Sequence, residues 1–198
     1  MTISANDVKT LRNQTGAGMM DCKRALEESE GSIENAVTLL REKGIMAASK
    51  KSSREAKEGI IHTYIHPGSR IATMVEINCE TDFVARNETF KALAHDIAMQ
   101  VAATRPIAVA REDIAENILT QEREIYQNQA QNEGKPDHII DRIVEGKIEK
   151  FNQENCLLEQ LFIRDTDKTV RDLITDAVAT LGENIMVRRF VRYELGGE

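Results

Sequence analysis

The chain has no tryptophan, and only five phenylalanines and three tyrosines among 198 residues. Its core must therefore be filled by Leu, Ile, Val, Ala and Met, as in helix-rich proteins, and a nucleic-acid-binding sheet built on stacked aromatics is disfavoured. Cysteine is equally sparse. Cys22, Cys79 and Cys156 are widely spaced, odd in number and form no CxxC pair, which supports neither a disulfide framework nor a zinc ribbon and fits a reducing, cytoplasmic compartment. No window approaches about 18 uninterrupted apolar residues, and MTISANDVKTLRNQTG lacks a basic region followed by an apolar run, so neither a membrane span nor a cleavable export signal is expected. Positive charge is in deficit: the net charge of −7 argues against a surface devoted to phosphate backbones, while leaving room for a local basic patch. What is present, 41% hydrophobic and 30% charged residues, belongs to a globular protein with a real core. At roughly 150 residues per domain, the length accommodates one medium domain and a small appendage.

The appendage comes first. Ser4 and Asp7 form a capping arrangement ahead of Val8 and Leu11, and TGAG interrupts the helix they start. A second helix carries Met20, Ala25 and Leu26 and ends near Gly31. Ser32 then caps a third, with Ile33, Ala36, Val37 and Leu40 on one stripe and Gly44 as its expected stop. The basic stretch MAASKKSSREAK has no sustained apolar stripe and reads as a solvated connecting helix or linker. Thereafter IIHTYIH, Pro67-Gly68-Ser69 and RIATMVEINC predict an antiparallel hairpin. A helix is expected over 82–103, with Phe83, Phe90, Leu93, Ile97 and Val101 in register. Two more are expected over 112–131 and 137–151, joined by Gly134-Lys135-Pro136 into a helical hairpin. A helix over 169–181 and a last strand over 184–195 complete an α+β chain whose sheet has three antiparallel strands covered by helices.

A search for reaction chemistry finds little. Gly16-Ala17-Gly18 lacks the third glycine of a dinucleotide fingerprint, Asp21 standing in its place, and no GxxxxGK[ST] occurs, so a bend between helices is the better reading. His62 and His66 share a strand face, but no further ligands are nominated, and no metal or cofactor is expected. No GxSxG or catalytic-cysteine signature occurs, and the carboxylates of 112–124 read as a solvated helix face; the expectation is a protein that is not an enzyme. Two features stand out instead. Met19-Met20 lies in a glycine-flanked turn, where thioether side chains either plug a small core or offer an adaptable contact. Thr81-Asp82-Phe83-Val84 follows a strand ending at Cys79: Thr81 can cap a helix, Asp82 suits its N-terminal dipole, and Phe83 is either core or an exposed apolar wedge.

TGAGMMDCKRAL (15–26), INCETDFVARNETF (77–90), DIAMQVAATRP (96–106), GKPDHIIDRIVEGKIEKF (134–151), CLLEQLFIRDTDKTV (156–170) and VRRFVRYELG (187–196) resemble, in this order, the bacterial elongation factor Ts family. The resemblance implies a guanine nucleotide exchange factor for elongation factor Tu that displaces Mg²⁺, promotes GDP release and leaves when GTP binds. It further implies an N-terminal ubiquitin-associated-like three-helix domain over 1–45, a basic linker helix over 46–58 and an α+β core over 59–198. The Mg²⁺-dislodging segment falls on Thr81, Asp82, Phe83 and Val84, and the N-terminal partner contact on Arg12, Met19 and Met20. The chain is shorter than members with two core halves and an inserted coiled coil, so a homodimer and a two-plus-two complex with elongation factor Tu are expected. Neither direct nucleic-acid nor membrane contact is implied. Gln100 stands where some members carry histidine and Leu161 where proline is frequent, so contacts made there in other members are not carried over. The competing reading is a ubiquitin-associated-like adaptor without exchange activity, against which TDFVARN speaks.

Overall fold

A computed structural model describes residues 3–197; residues 1, 2 and 198, at the outer ends of the expected first domain and core, lie outside the described residues. The described residues form eight α-helices and five strands, grouped rather than alternating, in an α+β chain. Strands β1 (Glu58–Ile65), β2 (Ile71–Cys79) and β5 (Met186–Glu194) form an antiparallel sheet in the order β1-β2-β5, the three-stranded sheet expected from the sequence. The chain divides into two compact units. One holds residues up to His62, Val75–Asp96 and Asp172–Arg188; the other holds Thr63–Met74, Ile97–Arg171 and Arg189–Glu198.

In the first unit, α1 (Ala5–Thr15) starts with a reciprocal box: Asp7 N–H donates to Ser4 Oγ at 3.1 Å while Ser4 N–H donates to the Asp7 carboxylate at 3.3 Å. It ends at Gly16, whose φ of 67° is the left-handed conformation that lets its N–H reach Arg12 O at 2.8 Å. Helices α2 (Met19–Glu28) and α3 (Ile33–Lys51) close a core of Val8, Leu11, Cys22, Ala25, Leu26 and Ala36. Gly44 does not stop α3, contrary to the sequence reading; the helix continues to Lys51, into the stretch expected as linker. The glycine serves close approach instead. It is buried, and a Cβ there would sit 3.5 Å from Ala179 Cβ on α8 (Val170–Leu181). Arg41 pairs with Asp172 at 3.0 Å and Lys51 Nζ donates to Val178 O at 3.4 Å, fastening α3 along α8.

Strand β1 approaches β2 so closely that only glycine fits at position 59. Its φ is 146°, and a Cβ would lie 2.1 Å from Ile77 O and 2.8 Å from Asn78 Cα. The helix expected over 82–103 is broken in two. Helix α4 is the single turn Asp82–Ala85, and α5 (Glu88–Thr104) restarts where Asn87 Oδ1 accepts Thr89 N–H at 2.8 Å. The apolar register of both segments suits one helix, but a side-chain oxygen that caps a backbone N–H offers the chain a way out of it.

In the second unit, α6 (Glu116–Asn132) and α7 (Asp137–Asn155) form the expected helical hairpin around Ala130, Ile140, Val144 and Ile148. The α6 start is later than the sequence suggested, because a separate 3₁₀ turn occupies Arg111–Asp113. A two-stranded ribbon, β3 (Leu161–Phe162) with β4 (Asp165–Thr169), was not anticipated from sequence. Helix α5 covers one face of the sheet: Thr73 Oγ1 donates to Ala98 O at 2.9 Å from β2, and Arg192 Nε to Ala102 O at 3.1 Å from β5. Gln100, fully buried on α5, donates to Leu161 O at 3.1 Å and Gln160 Oε1 at 3.2 Å, and accepts from Ile163 N–H at 3.0 Å. The two positions at which the chain departs from the family pattern are therefore bonded to each other.

Candidate functional site

Beyond Cys79 the chain leaves β2 and turns into α4. Thr81, with extended φ and ψ of −130° and 156°, is its N-cap, its hydroxyl oxygen accepting Val84 N–H at 3.5 Å. Asp82 lies in the first turn and pairs with Arg86 at 2.8 Å on the surface. Ala85 is buried, so one side of the turn faces inward. Phe83 points the other way and is 80% exposed, a large aromatic held in solvent on a one-turn helix. The core alternative for Phe83 does not hold. Soluble proteins expose single apolar residues routinely, but a phenylalanine beside a carboxylate at the tip of a capped turn is a shape suited to insertion.

Thr81 is fixed by a group far along the chain. The Glu183 carboxylate accepts Glu80 N–H and Thr81 N–H, each at 3.0 Å, through one oxygen, and the Thr81 hydroxyl at 2.6 Å through the other. Glu80 reciprocates, its carboxylate accepting Asn184 N–H at 2.7 Å. Asn184 in turn donates to Arg54 O at 2.7 Å. Burial, with the nearby Glu183 charge second, pushes the Cys79 thiol up to about 11, and that thiol donates to Thr81 O at 3.2 Å. Cys79 is thus a neutral structural donor rather than a nucleophile.

The second nominated patch is also assembled. Arg12, Met19 and Met20 line one groove of about 580 Å³ together with Ile3, Val8 and Lys23. Met19 and Met20 are 59% and 62% exposed, so they do not plug the three-helix core. Ala5, Lys9 and Asn13 also line it, so the groove combines apolar side chains with three cationic ones, Lys9, Arg12 and Lys23. Sequence reasoning missed these lysines, although Lys9 stands three residues before Arg12 and Lys23 four after Met19, spacings that share a helix face. It missed Glu80 and Glu183 entirely. Nothing local marks Glu183, whose partners lie about a hundred residues away in sequence.

Other chemistry is spent on structure. Arg111 holds Glu149 at 2.6 and 2.7 Å and also Glu159, so the groove of about 750 Å³ beside it is walled by satisfied ion pairs. His62 Nε2 and His95 Nδ1 meet at 3.3 Å. Among the described residues no group of three or more metal-ligating side chains occurs, and no helix is long and apolar enough to cross a membrane.

Comparison with known proteins places these features in a family. The family described as Elongation factor TS matches residues 3–197. The chain is 58% identical over 194 residues to elongation factor Ts of Moorella thermoacetica, covering 98% of this chain and 96% of that protein. It is likewise 58% identical to the protein of that name from a Thermoanaerobacter species, covering 98% and 95%, and 57% identical to that of Carboxydothermus hydrogenoformans, covering 98% and 89%. With a matching family over nearly its whole length and relatives of this identity, the chain belongs to the elongation factor Ts family.

Proposed function

We propose that the protein is the guanine nucleotide exchange factor of elongation factor Tu, acting in the cytoplasm on the GDP-bound GTPase. The observation that carries the reading is Phe83, 80% exposed and flanked by Asp82 on a capped single turn. GDP in such a GTPase is held by backbone donors around its phosphates and by Mg²⁺ bridging the β-phosphate to protein. Phe83 inserts beside the segment that supports the metal, and Asp82, released from its exposed pair with Arg86, competes for polar groups there. Thr81 and Val84 frame the turn. Mg²⁺ coordination is disturbed and the nucleotide leaves faster, with no bond made or broken by this chain, which is therefore not an enzyme in the chemical sense.

Arg12, Met19 and Met20 supply the grip. A groove that combines apolar side chains with Lys9, Arg12 and Lys23 suits a partner surface that is apolar with acidic neighbours. We read residues 1–45, which hold α1, α2 and most of α3, as the ubiquitin-associated-like gripping domain, 46–58, which takes in the end of α3, as the basic linker helix, and 59–198 as the core. Linkage sets the cycle: if the factor weakens nucleotide affinity by some ratio, nucleotide weakens factor affinity by the same ratio, so incoming GTP ejects the factor. The homodimer, with a two-plus-two complex, is supported by Ile65, Met74, Tyr193 and Leu195, exposed by 64, 44, 70 and 63% on or next to the strands of the second unit.

The test is release of fluorescent GDP from elongation factor Tu, read by stopped flow with increasing amounts of the factor. Saturable acceleration that is absent with an unrelated GTPase supports exchange. Binding without acceleration leaves the adaptor reading in its place. Light scattering of the free chain at twice the protomer mass supports the homodimer, and a monomer at micromolar concentration removes it.

A further inference from the structure

A one-turn helix has no stability of its own: nucleation costs more than a single hydrogen bond returns. Helix α4 is four residues long, and its cap bond from Val84 N–H to Thr81 Oγ1 is long at 3.5 Å. Something else must hold Phe83 in solvent, where burial would otherwise draw it onto the surface. The Glu183 carboxylate is the strongest attachment of the turn's entry, with three accepted hydrogen bonds of 3.0, 3.0 and 2.6 Å to two successive residues. Hydrogen bonds to an ionised carboxylate are the strong ones. The clasp is two-sided, because Glu80 accepts Asn184 N–H at 2.7 Å and faces Arg54 at 3.5 Å. Position and direction of the entry are thereby defined from both strands of the connection.

We infer that Glu183 is a positioning residue of the exchange reaction: through Thr81 it sets the entry angle of α4 and so the presentation of Asp82 and Phe83. It touches neither nucleotide nor metal. The inference rests on the reading of Thr81–Val84 as the inserting segment and deepens it, since it assigns the element that keeps the helical turn projecting into solvent in the free protein. With the clasp in place the partner's binding energy is not consumed in ordering the turn, which is the general advantage of preorganisation. Thr81 gains by the same arrangement: its hydroxyl donates to Glu183, which orients the oxygen's lone pairs toward Val84 N–H.

The experiment is a double-mutant cycle between Glu183→Ala and Phe83→Ala, measured as maximal GDP release rate and half-saturating factor concentration with elongation factor Tu carrying fluorescent GDP. Glu183→Ala is expected to lower the maximal rate roughly tenfold while moving half-saturation less than about twofold, the gripping groove being untouched. The double variant is expected to lose clearly less than the two single losses combined, because part of what Glu183 does is done through Phe83. Glu183→Gln retains a carbonyl acceptor for the two amides and is expected to recover part of the rate; it is also the variant to use if the alanine protein fails to fold. A structural role would instead give additive losses, with half-saturation and melting temperature moving together, and that result overturns the inference. Unaltered release by Glu183→Ala and Glu183→Gln, with Phe83→Ala slow, overturns it while sparing the insertion reading. Unaltered release by Phe83→Ala removes the insertion reading and the positioning role together.

Discussion

Replacing Phe83 by alanine separates what the side chain does for the fold from what it does for the partner. At 80% exposure the ring contributes little to folding, and surface substitutions of this kind stay within about 0.5 kcal/mol. At about 2–4 °C per kcal/mol for a chain of this size, the melting temperature should move by less than roughly 2 °C. In the complex the account differs. Full burial of a phenylalanine side chain is worth about 1.5–3 kcal/mol, and if the four-fifths now in solvent is covered on insertion, about 1.2–2.4 kcal/mol depends on it. At 1.36 kcal/mol per tenfold, that is roughly an eight- to sixty-fold change in rate or affinity. Where it appears distinguishes mechanisms. Insertion completed only as Mg²⁺ and GDP depart lowers the maximal release rate and leaves half-saturation nearly constant; insertion already complete in the first complex weakens half-saturation alone. Stopped-flow release of fluorescent GDP across factor concentrations, beside thermal melts of both proteins, reads all three quantities. A maximal rate and a half-saturation both equal to the parent's, in a variant that melts at the parent's temperature, would refute the assignment of Phe83 as the wedge.

The double substitution Met19→Ala/Met20→Ala removes apolar lining from the gripping groove and should weaken complex affinity by calorimetry about tenfold or more, with the maximal release rate little changed. An unaltered dissociation constant would count against the groove as the N-terminal contact. Gly59→Ala forces a side chain into the left-handed half of φ and to within 2.1 Å of Ile77 O; it should cost about 3 kcal/mol or more and lower the melting temperature by roughly 6–12 °C. A melt within about 2 °C of the parent's, the shift expected for no more than about 1 kcal/mol, would mean that β1 and β2 separate more easily than this contact implies. His62 is held below its ordinary 6.5 by burial first and by the charge of His95 second. A lowered folded value means that the unfolded chain binds the proton more readily, so stability is complete above the ordinary value and is lost as pH falls through 6.5 toward the folded one. His95→Gln should flatten the melting-temperature profile in that window, and parallel profiles would show that the pair carries no such linkage.

Periodicity exposes the elements whose surroundings are local. The α1 capping box, Ser32 as the α3 cap, the Pro67-Gly68-Ser69 hairpin and the α6–α7 pair all rest on signals within a few residues. Gly44 misleads because glycine has two uses. A helix end needs its positive φ, whereas packing needs its missing Cβ, and only the presence of Ala179 at 3.5 Å decides for the second. The break at Asn87 is similar: the apolar register runs through it, and a side-chain cap overrides the register. The ribbon β3–β4 is too short for any alternation to be visible. At the site, spacing and residue type single out Met19, Met20, Thr81, Asp82 and Phe83, but not whether each side chain is core or surface. That choice depends on which positions the rest of the core fills, here Leu11, Cys22 and Leu26 in the helical module. Glu183 is a different kind of omission, because a carboxylate that receives two amides and a hydroxyl from another strand's end has no local signature.

The end of α8 and its exit into β5 run past the entries of both α2 and α4. A Cβ on Gly16, in the turn that leads into Met19, would meet Thr180 Oγ1 at 3.7 Å, while three residues later Glu183 holds Thr81. The stretch from Thr180 to Asn184 thus passes beside Gly16, ahead of Met19, and beside Thr81. An exchange factor needs these two surfaces to act differently. A groove that holds the partner equally well whether or not nucleotide is present adds affinity but no coupling, since binding that does not discriminate between states shifts no equilibrium. The wedge must favour the nucleotide-free state, and only that preference supplies coupling. If either surface could move freely against the other, the partner would be gripped without Phe83 reaching its target, and the interaction would amount to adaptor binding. On the proposed reading the clasp of Glu183 on Thr81 limits that freedom on the side of the wedge, by setting where and at what angle Phe83 is presented. If the proposed roles hold, gripping strength fixes how much factor is required and the presentation of Phe83 fixes how fast GDP leaves, so losses at the two surfaces fall on two separately measurable constants.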